Sequence, residues 1–176
     1  MRIVTLCTGN VARSVMLGYM LTTLAKANGY DWQIRTAGTH VVEGSAMSAR
    51  TRNALLALDD VGEHHYGAHR SHQLSGDDVA WADVILTSEA NQVTFVRTTF
   101  PPGTPKTVLL RQFLRDAPLD VPLEDQLHVV ASQPPLADFD VEDPAGGDQA
   151  VYDACASALW EMAQVFSTIV ADEGEV

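Results

Sequence analysis

The sequence has few of the features that mark secreted, metal-binding or membrane proteins. Its 176 residues include two cysteines, Cys7 and Cys155, too few for a disulfide framework, and no CxxC or Cys/His cluster suggests zinc. No apolar run approaches a membrane span, and MRIVTLC is too short for the apolar region of a signal peptide. We therefore expect a protein of the reducing cytoplasm that makes no membrane contact and binds no metal.

Basic residues are also scarce. Lysine and arginine total 11 against 23 aspartates and glutamates, which gives a formal net charge of −12. A nucleic-acid-binding surface needs concentrated positive charge, so we expect no nucleic-acid partner. An anion bound by so acidic a chain must be held locally, by backbone N–H groups and an arginine.

The spacing of apolar residues predicts alternating strands and helices. Strands are expected at 2–6, 32–36, 84–87 and 107–110, and helices at 14–28, 48–58, from 88 or 89, and at 148–170. Such alternation is typical of an α/β domain with a mainly parallel sheet. We expect one domain over 1–170, a long irregular loop at 115–147 and a disordered tail at 171–176.

The most informative stretch is CTGNVARS, residues 7–14. Cys7 ends the first predicted strand, where ligands of parallel sheets bind, and Gly9 and Asn10 tolerate unusual backbone angles. If the loop curls, its consecutive N–H groups converge on one centre, toward which the N-terminus of the next helix also points. Arg13 adds a guanidinium that can hold two oxygens. The stretch therefore predicts a cradle for an oxyanion.

The same arrangement favours a reactive thiol. A helix N-terminus and a neighbouring arginine stabilise the thiolate form of a cysteine, and Ser14 could donate a further hydrogen bond to it. Cys7 would then be a nucleophile held directly against the bound anion.

These residues resemble the low-molecular-weight protein tyrosine phosphatases, a family that also includes some arsenate reductases. The family loop reads C-x-G-N-x-C-R-S-P, and the chain has CTGNVARSV at 7–15. TAGT at 36–39, HRSHQL at 69–74 and EDP at 142–144 resemble further family motifs. The resemblance implies a four-stranded parallel sheet with helices on both faces. It also implies a cofactor-free cysteine phosphatase, by default acting on phosphotyrosine proteins through a phosphocysteine.

Family roles transfer to the matching positions. Cys7 would be the nucleophile, Arg13 the phosphate clamp, and Asp143, which precedes Pro144, the general acid. The resemblance implies that substrate is bound by Thr8, Gly9, Asn10, Val11, Ala12, Arg13, Ser14 and His40. The polar network that shapes the loop would comprise Asn10, Ser14, Thr36 and His69.

Two departures from the family pattern lie in the loop itself. Ala12 replaces a second cysteine, so Cys7 is more vulnerable to irreversible oxidation unless Cys155 or a small thiol rescues it. Cys155 falls on the apolar stripe of the last predicted helix, where we expect a core residue. Val15 replaces a proline at the helix start, which costs some rigidity but not the chemistry.

Two further departures concern the substrate. The family's aromatic walls are absent, because AGG follows the Asp-Pro pair and THVVEG follows the second strand. A phosphotyrosine ring gains from flanking aromatic faces, so their absence favours a smaller or differently shaped substrate. The segment that precedes Asp143, residues 116–140, is longer than is usual in the family. It could serve as a lid or as a partner-binding segment.

Three alternatives to a tyrosine phosphatase remain open. The phosphoarginine branch resembles the chain at Thr8 but has threonine in place of Val11, where a hydroxyl can help to position the attacking water, so Val11 disfavours it. Thioredoxin-coupled arsenate reductases need two cysteines where TSEANQ stands, which leaves only a reductase that uses an external low-molecular-weight thiol. The third alternative is a non-catalytic oxyanion-binding regulatory module.

Overall fold

The computed structural model describes residues 1–171, in which strands and helices alternate. The strands are β1 (Arg2–Cys7), β2 (Gln33–Gly38), β3 (Val84–Thr87) and β4 (Thr107–Leu109). The helices are α1 (Arg13–Asn28), α2 (Ala49–Leu56), α3 (Gly76–Trp81), α4 (Ala90–Thr99), α5 (Leu110–Asp116), α6 (Leu123–Ala131) and α7 (Gln149–Ala171). The tail predicted at 171–176 lies outside the described residues, except for Ala171 at the end of α7.

The four strands form one parallel sheet in the order β2-β1-β3-β4, which confirms the predicted fold class. Side chains alternate between its faces, as a strand requires. Ile3 packs into the cluster that contains α1 and α7, whereas Val4 and Leu6 pack with α3 and α4. Each fully buried side chain of this kind contributes about 1.5–3 kcal/mol to folding. Cys7 shares the face of Ile3, so its side chain lies on the α1 side.

Residues 115–147 are not one irregular loop, and that prediction is wrong for α6. The helix carries Leu123, Leu127 and Val130 at the spacing i, i+4 and i+7, and all three are buried in the larger core cluster. Flanking prolines and acidic residues concealed this short apolar pattern in the sequence. Pro122 occupies the position before the first helical residue, where a missing N–H breaks no helical bond. The first half of the segment is therefore anchored in the core.

The remaining differences are small shifts at element ends. The helix expected from 88 or 89 begins at Ala90, and Leu110, expected as the end of β4, is the first residue of α5.

Within residues 1–171, no helix is long and apolar enough to cross a membrane. Over the same residues, no group of three or more His, Cys, Asp or Glu side chains could hold a metal ion.

Candidate active site

The loop between β1 and α1, residues 8–12, is bound to its surroundings through its carbonyl groups. Thr8 O accepts from His40 N at 2.9 Å, and Asn10 O is 2.8 Å from His69 Nε2. Across the described chain, no backbone N–H of residues 8–12 donates to another protein group. These N–H groups, together with the N-terminus of α1, are therefore available to an anion.

Asn10 provides the unusual backbone conformation of the loop. Its φ is +52°, and its buried side chain donates from Nδ2 to Ser14 Oγ and to Thr36 Oγ1, both at 2.9 Å. Its Oδ1 accepts from His72 N, also at 2.9 Å. The predicted network residues Asn10, Ser14, Thr36 and His69 are thus brought together. We expect the loop to keep this shape in the absence of a ligand, because its least favourable residue is held by three side-chain bonds.

Gly9 does not have the role that the sequence suggested. Its φ is not positive, and an added Cβ would meet only Val11 Cγ2, at an ordinary contact distance of 3.7 Å. The glycine that the loop requires is Gly38, at the end of β2. A Cβ there would lie 2.5 Å from Thr8 O and 3.1 Å from Asn10 N, so a side chain at this position would push the loop out of place.

Cys7 lies at the base of the loop and is 3% exposed, and its Sγ is 2.9 Å from Ser14 Oγ. Ser14 Oγ already accepts from Asn10 Nδ2, and a hydroxyl has a single hydrogen to give. That hydrogen is therefore free to be donated to Cys7 Sγ. A hydrogen bond of this kind stabilises the thiolate, which is the nucleophilic form of cysteine.

Arg13 is buried, 1% exposed, and its guanidinium is held from one side. Nη1 donates to Glu89 Oε1 at 2.7 Å and to Val141 O at 2.8 Å, while Nη2 donates to Asp143 Oδ2 at 2.8 Å. Burial lowers the pKa of Arg13, but the bond to Glu89 and the nearby acidic groups outweigh this and raise it above its usual value. No described residue accepts from Nε, so Nε–H and one N–H of Nη2 remain for a bound oxyanion.

Glu89 and Gln92, at the start of α4, were not among the site residues predicted from the sequence. Gln92 Nε2 donates to Glu89 Oε2 at 2.9 Å and to Thr8 Oγ1 at 3.2 Å. A chain of hydrogen bonds thus runs from Thr8 through Gln92 and Glu89 to Arg13. Gln92 Oε1 accepts from the Glu89 N–H at 3.0 Å, which is one half of a capping box at the start of α4. Glutamate is not one of the usual first residues of this motif, and nothing in the sequence identifies Arg13 as its partner.

Asp143 lies beside Arg13 on the segment 140–147, and 43% of its side chain is exposed. Its second oxygen, Oδ1, accepts from Ala145 N at 3.0 Å. The start of the segment is fixed more firmly, since Val141 N donates to Ser88 O at 2.8 Å and Asp140 Oδ1 accepts from Ala90 N at 2.7 Å. Burial holds the pKa of Asp140 above its usual value.

The other predicted site residues surround the loop. His40 is exposed, and its Nδ1 lies 3.0 Å from Thr39 Oγ1. Burial lowers the pKa of His69, so its ring is neutral near pH 7 and donates its Nε2 hydrogen to Asn10 O. Val11 O accepts from Thr51 Oγ1 of α2 at 2.9 Å, and Ala12 is the buried residue before α1.

Cys155 contrasts with Cys7. It belongs to the core cluster, as expected, and its Sγ lies 4.0 Å from Glu142 O. Burial raises the pKa of this thiol to about 11, so it stays protonated and unreactive.

Comparison with known proteins gives consistent results. Residues 2–175 match the family model described as low molecular weight phosphotyrosine protein phosphatase. The chain is 29% identical over 158 residues to a protein-arginine-phosphatase of Geobacillus stearothermophilus, which covers 90% of this chain and 88% of that protein. The structure of the YwlE arginine phosphatase from the same organism matches with a TM-score of 0.76 and 26% identity, covering 98% of this chain and 94% of that one. A low molecular weight protein tyrosine phosphatase from T. tengcongensis matches with a TM-score of 0.77 and 25% identity, covering 96% and 98%.

Proposed function

The chain belongs to the low molecular weight phosphotyrosine protein phosphatase family and is a phosphatase, and we propose that it hydrolyses phosphate monoesters through a phosphocysteine formed on Cys7. One observation supports this proposal above the others. At the end of β1, loop N–H groups that donate to no described protein group lie next to a thiol that is hydrogen-bonded to Ser14. Protein phosphotyrosine is the default substrate.

In the first step, the Cys7 thiolate attacks the phosphorus of a phosphate held by the loop N–H groups and Arg13. The bond from phosphorus to the leaving oxygen breaks as the S–P bond forms, and protonated Asp143 gives its proton to that oxygen. The guanidinium and the N–H groups stabilise the charge that spreads over the non-bridging oxygens of the transition state.

In the second step, the Asp143 carboxylate removes a proton from a water molecule that attacks the phosphocysteine. The S–P bond breaks, inorganic phosphate leaves, and Cys7 returns as a thiolate that accepts the Ser14 hydrogen bond. Asp143 ends the cycle protonated; it gives that proton to solvent when it pairs again with Arg13, and it takes up a proton from solvent once the next substrate has displaced it from the guanidinium.

The pairing of Asp143 with Arg13 defines the resting state. A bound phosphate brings negative charge to the same guanidinium and competes with the Asp143 carboxylate for Nη2. We infer that substrate loosens this pair and frees Asp143 to turn toward the leaving oxygen. The exposure of Asp143 leaves room for that movement, and the turn at 144–147, in which Gly146 has a φ of +84°, follows it directly.

The test is turnover of an aryl phosphate by the full chain and by Cys7→Ser. We expect the variant to lose hydrolysis, because a serine hydroxyl is a far weaker nucleophile than a thiolate in this site. Normal turnover by Cys7→Ser would show that Cys7 is not the nucleophile.

A second candidate substrate is phosphoarginine in proteins, because two of the similar proteins are arginine phosphatases. Val11 argues against it, because a hydroxyl at this position can help to place the attacking water on a phosphoramidate. We expect the wild type to prefer phosphotyrosine, and Val11→Thr to gain phosphoarginine hydrolysis. Preferential phosphoarginine turnover by the wild type would reverse this ranking.

Two other functions are tested by assays with arsenate and with phosphate beside the aryl phosphate. An arsenate reductase that uses a small external thiol would consume that thiol only when arsenate is present. A non-catalytic module would bind phosphate and turn over no substrate at any pH. We expect neither result.

We also expect the enzyme to act in the cytoplasm, where reducing conditions keep Cys7 as a free thiol.

A further inference from the structure

The side-chain amide of Gln92 has a partner at each of its hydrogen-bonding positions. Gln92 is 1% exposed. Its Oε1 accepts from the N–H groups of Ser88 and Glu89 at 2.9 and 3.0 Å, while its Nε2 donates to Glu89 Oε2 at 2.9 Å and to Thr8 Oγ1 at 3.2 Å. Backbone N–H groups can only donate, so the amide oxygen must face them. The two Nε2 hydrogens are therefore directed at Thr8 and at Glu89.

This orientation determines what the Thr8 hydroxyl can do. An amide N–H₂ group donates and does not accept, so Thr8 Oγ1 is the acceptor of its bond with Gln92 and keeps its own hydrogen. Within residues 1–171, no protein group accepts that hydrogen. Thr8 directly follows Cys7 and is half-buried, on the loop whose N–H groups are also available. The hydroxyl therefore has a hydrogen to give to an anion in the loop.

The other Nε2 hydrogen acts on Arg13 through Glu89. Glu89 Oε2 accepts from Gln92, and its Oε1 accepts from Arg13 Nη1 at 2.7 Å. The Glu89 backbone N–H is held by the same amide, so the carboxylate cannot turn without breaking a bond to Gln92. One buried side chain thus holds a hydroxyl at the beginning of the loop and, through a carboxylate, the guanidinium at its end.

We propose that Gln92 is a positioning residue for the bound phosphate, because it directs the hydrogen of the Thr8 hydroxyl to the oxyanion and holds Glu89 against Arg13. Gln92 itself does not touch the substrate. The inference rests on the function proposed for the site, but it concerns the binding of the oxyanion and not the chemical step. A residue that only caps α4 would need Oε1 alone, so the two roles belong to different atoms of one amide.

The test is a double-mutant cycle in which inorganic phosphate is titrated calorimetrically into the full chain. Gln92→Met removes the two donated bonds, and Thr8→Val removes the hydroxyl. Gln92→Met should weaken phosphate binding about 10-fold in the wild type but only about 3-fold with Thr8→Val already present, because an absent hydroxyl cannot be misdirected. The remaining loss acts through Glu89. Gln164→Met, at an exposed position of α7, is the matched control and should leave the affinity unchanged.

The conservative change Thr8→Ser separates positioning from a structural role. Serine restores a hydroxyl, so Gln92→Met should again cost about 10-fold in this background. A loss of helix capping would weaken phosphate binding equally with threonine, serine or valine at position 8. Equal losses in the three backgrounds, or no loss in any of them, would overturn the proposal.

A second variant covers the case in which Gln92→Met does not fold. Gln92→Glu keeps an oxygen for the N–H groups of Ser88 and Glu89, and its carboxylate cannot donate. Its added charge acts in every background, so only the difference between the Thr8 and Thr8→Val backgrounds is read. Because phosphate binds without turnover, the coupling in a chain that hydrolyses nothing would contradict the proposed chemistry and not the positioning. Hydrolysis without the coupling would contradict the positioning alone.

Discussion

The loop at residues 8–12 and the segment at 140–147 meet at Arg13, but they are held in place by different means. Buried side chains from several elements bind the loop, as Asn10 does with Ser14 and Thr36. Beyond Val141, the segment is tied to the rest of the site by Asp143, through one bond to Arg13. The loop is thus preorganised for an oxyanion, whereas Asp143 is held by an ion pair with Arg13 that a bound anion can displace.

The two regions should therefore contribute differently: the loop to both stability and catalysis, and the segment to catalysis alone. Changes in the loop should lower both, because its bonds are buried and each contributes about 0.5–1.5 kcal/mol. Changes in the segment should lower the rate and leave the fold intact.

Among changes outside Cys7, Asp143→Asn should produce the largest loss of rate. General acid–base catalysis contributes about 10²- to 10⁴-fold, and asparagine can neither give nor take the proton. The midpoint of thermal unfolding should stay within about 2 °C of wild type, because the side chain is largely exposed and asparagine can still accept from Arg13. Steady-state kinetics and a melting curve measure both. Asp138→Asn, an exposed change nearby, is the control, and a rate loss as large in that variant would contradict the assignment.

Asn10→Ala should lower stability and rate together. It removes three buried hydrogen bonds and places alanine at a φ of +52°, at a cost of about 3 kcal/mol, or roughly 6–12 °C in Tm. We expect kcat/KM to fall about 100-fold, because Ser14 loses the donor that orients its hydroxyl toward Cys7. Asn53→Ala, in the exposed part of α2, should change neither quantity. A stable Asn10→Ala protein with normal activity would remove the distinction between the two regions.

Glu89→Gln should weaken oxyanion binding without unfolding the protein. Glutamine can still accept from Arg13 Nη1 but does not neutralise the buried guanidinium, so the orientation of Arg13 becomes less defined. We expect about a 10-fold loss in kcat and a weaker inhibition constant for inorganic phosphate. Glu124→Gln on α6 is the matched control. Unchanged kcat and phosphate inhibition would show that Glu89 serves only as the cap of α4.

The smallest effect concerns His72, whose backbone N–H supports Asn10. Burial lowers the pKa of its ring, but hydrogen bonds to Asp78 and Glu43 outweigh this and raise it above the usual value. A raised pKa in the folded state stabilises the protein below about pH 6.5, and the gain is lost as pH rises through the folded value. His72→Gln should therefore cost about 0.5–1 kcal/mol at pH 6 and almost nothing at pH 9, since the ring is half exposed.

Denaturant titrations at the two pH values measure this effect, with the exposed His65→Gln as control. An equal loss at both pH values would mean that His72 acts through packing and not through its charge.

Local chemistry in the sequence was enough to predict the sheet and the loop. The strand at Val84–Thr87 is continuous and apolar, and the Cys7–Ser14 contact is made between residues joined by one short turn. Both Gly9 and Asn10 were predicted to tolerate unusual backbone angles, and only Asn10 adopts one. The sequence could not decide between them, because the bonds that hold the Asn10 side chain include Thr36 and His72, which lie far away in the chain.

Contacts between distant residues could not be predicted in the same way. Glu89 reaches Arg13 across a separation of 76 residues, and nothing near either residue specifies the other. The same holds for the bond from Gln92 to Thr8. Helix α6 was missed for a different reason, because its apolar pattern is short and lies among prolines.

We propose that Cys7 carries the phosphoryl group during turnover. The most direct test is rapid quenching of the Asp143→Asn variant with an aryl phosphate, followed by mass spectrometry of the intact chain and its peptides. Slow hydrolysis of the intermediate should let the chain gain one phosphoryl group, located on the peptide that contains Cys7, and Cys7→Ala should gain none. A phosphoryl group on another residue, or steady turnover by Cys7→Ala, would contradict the account.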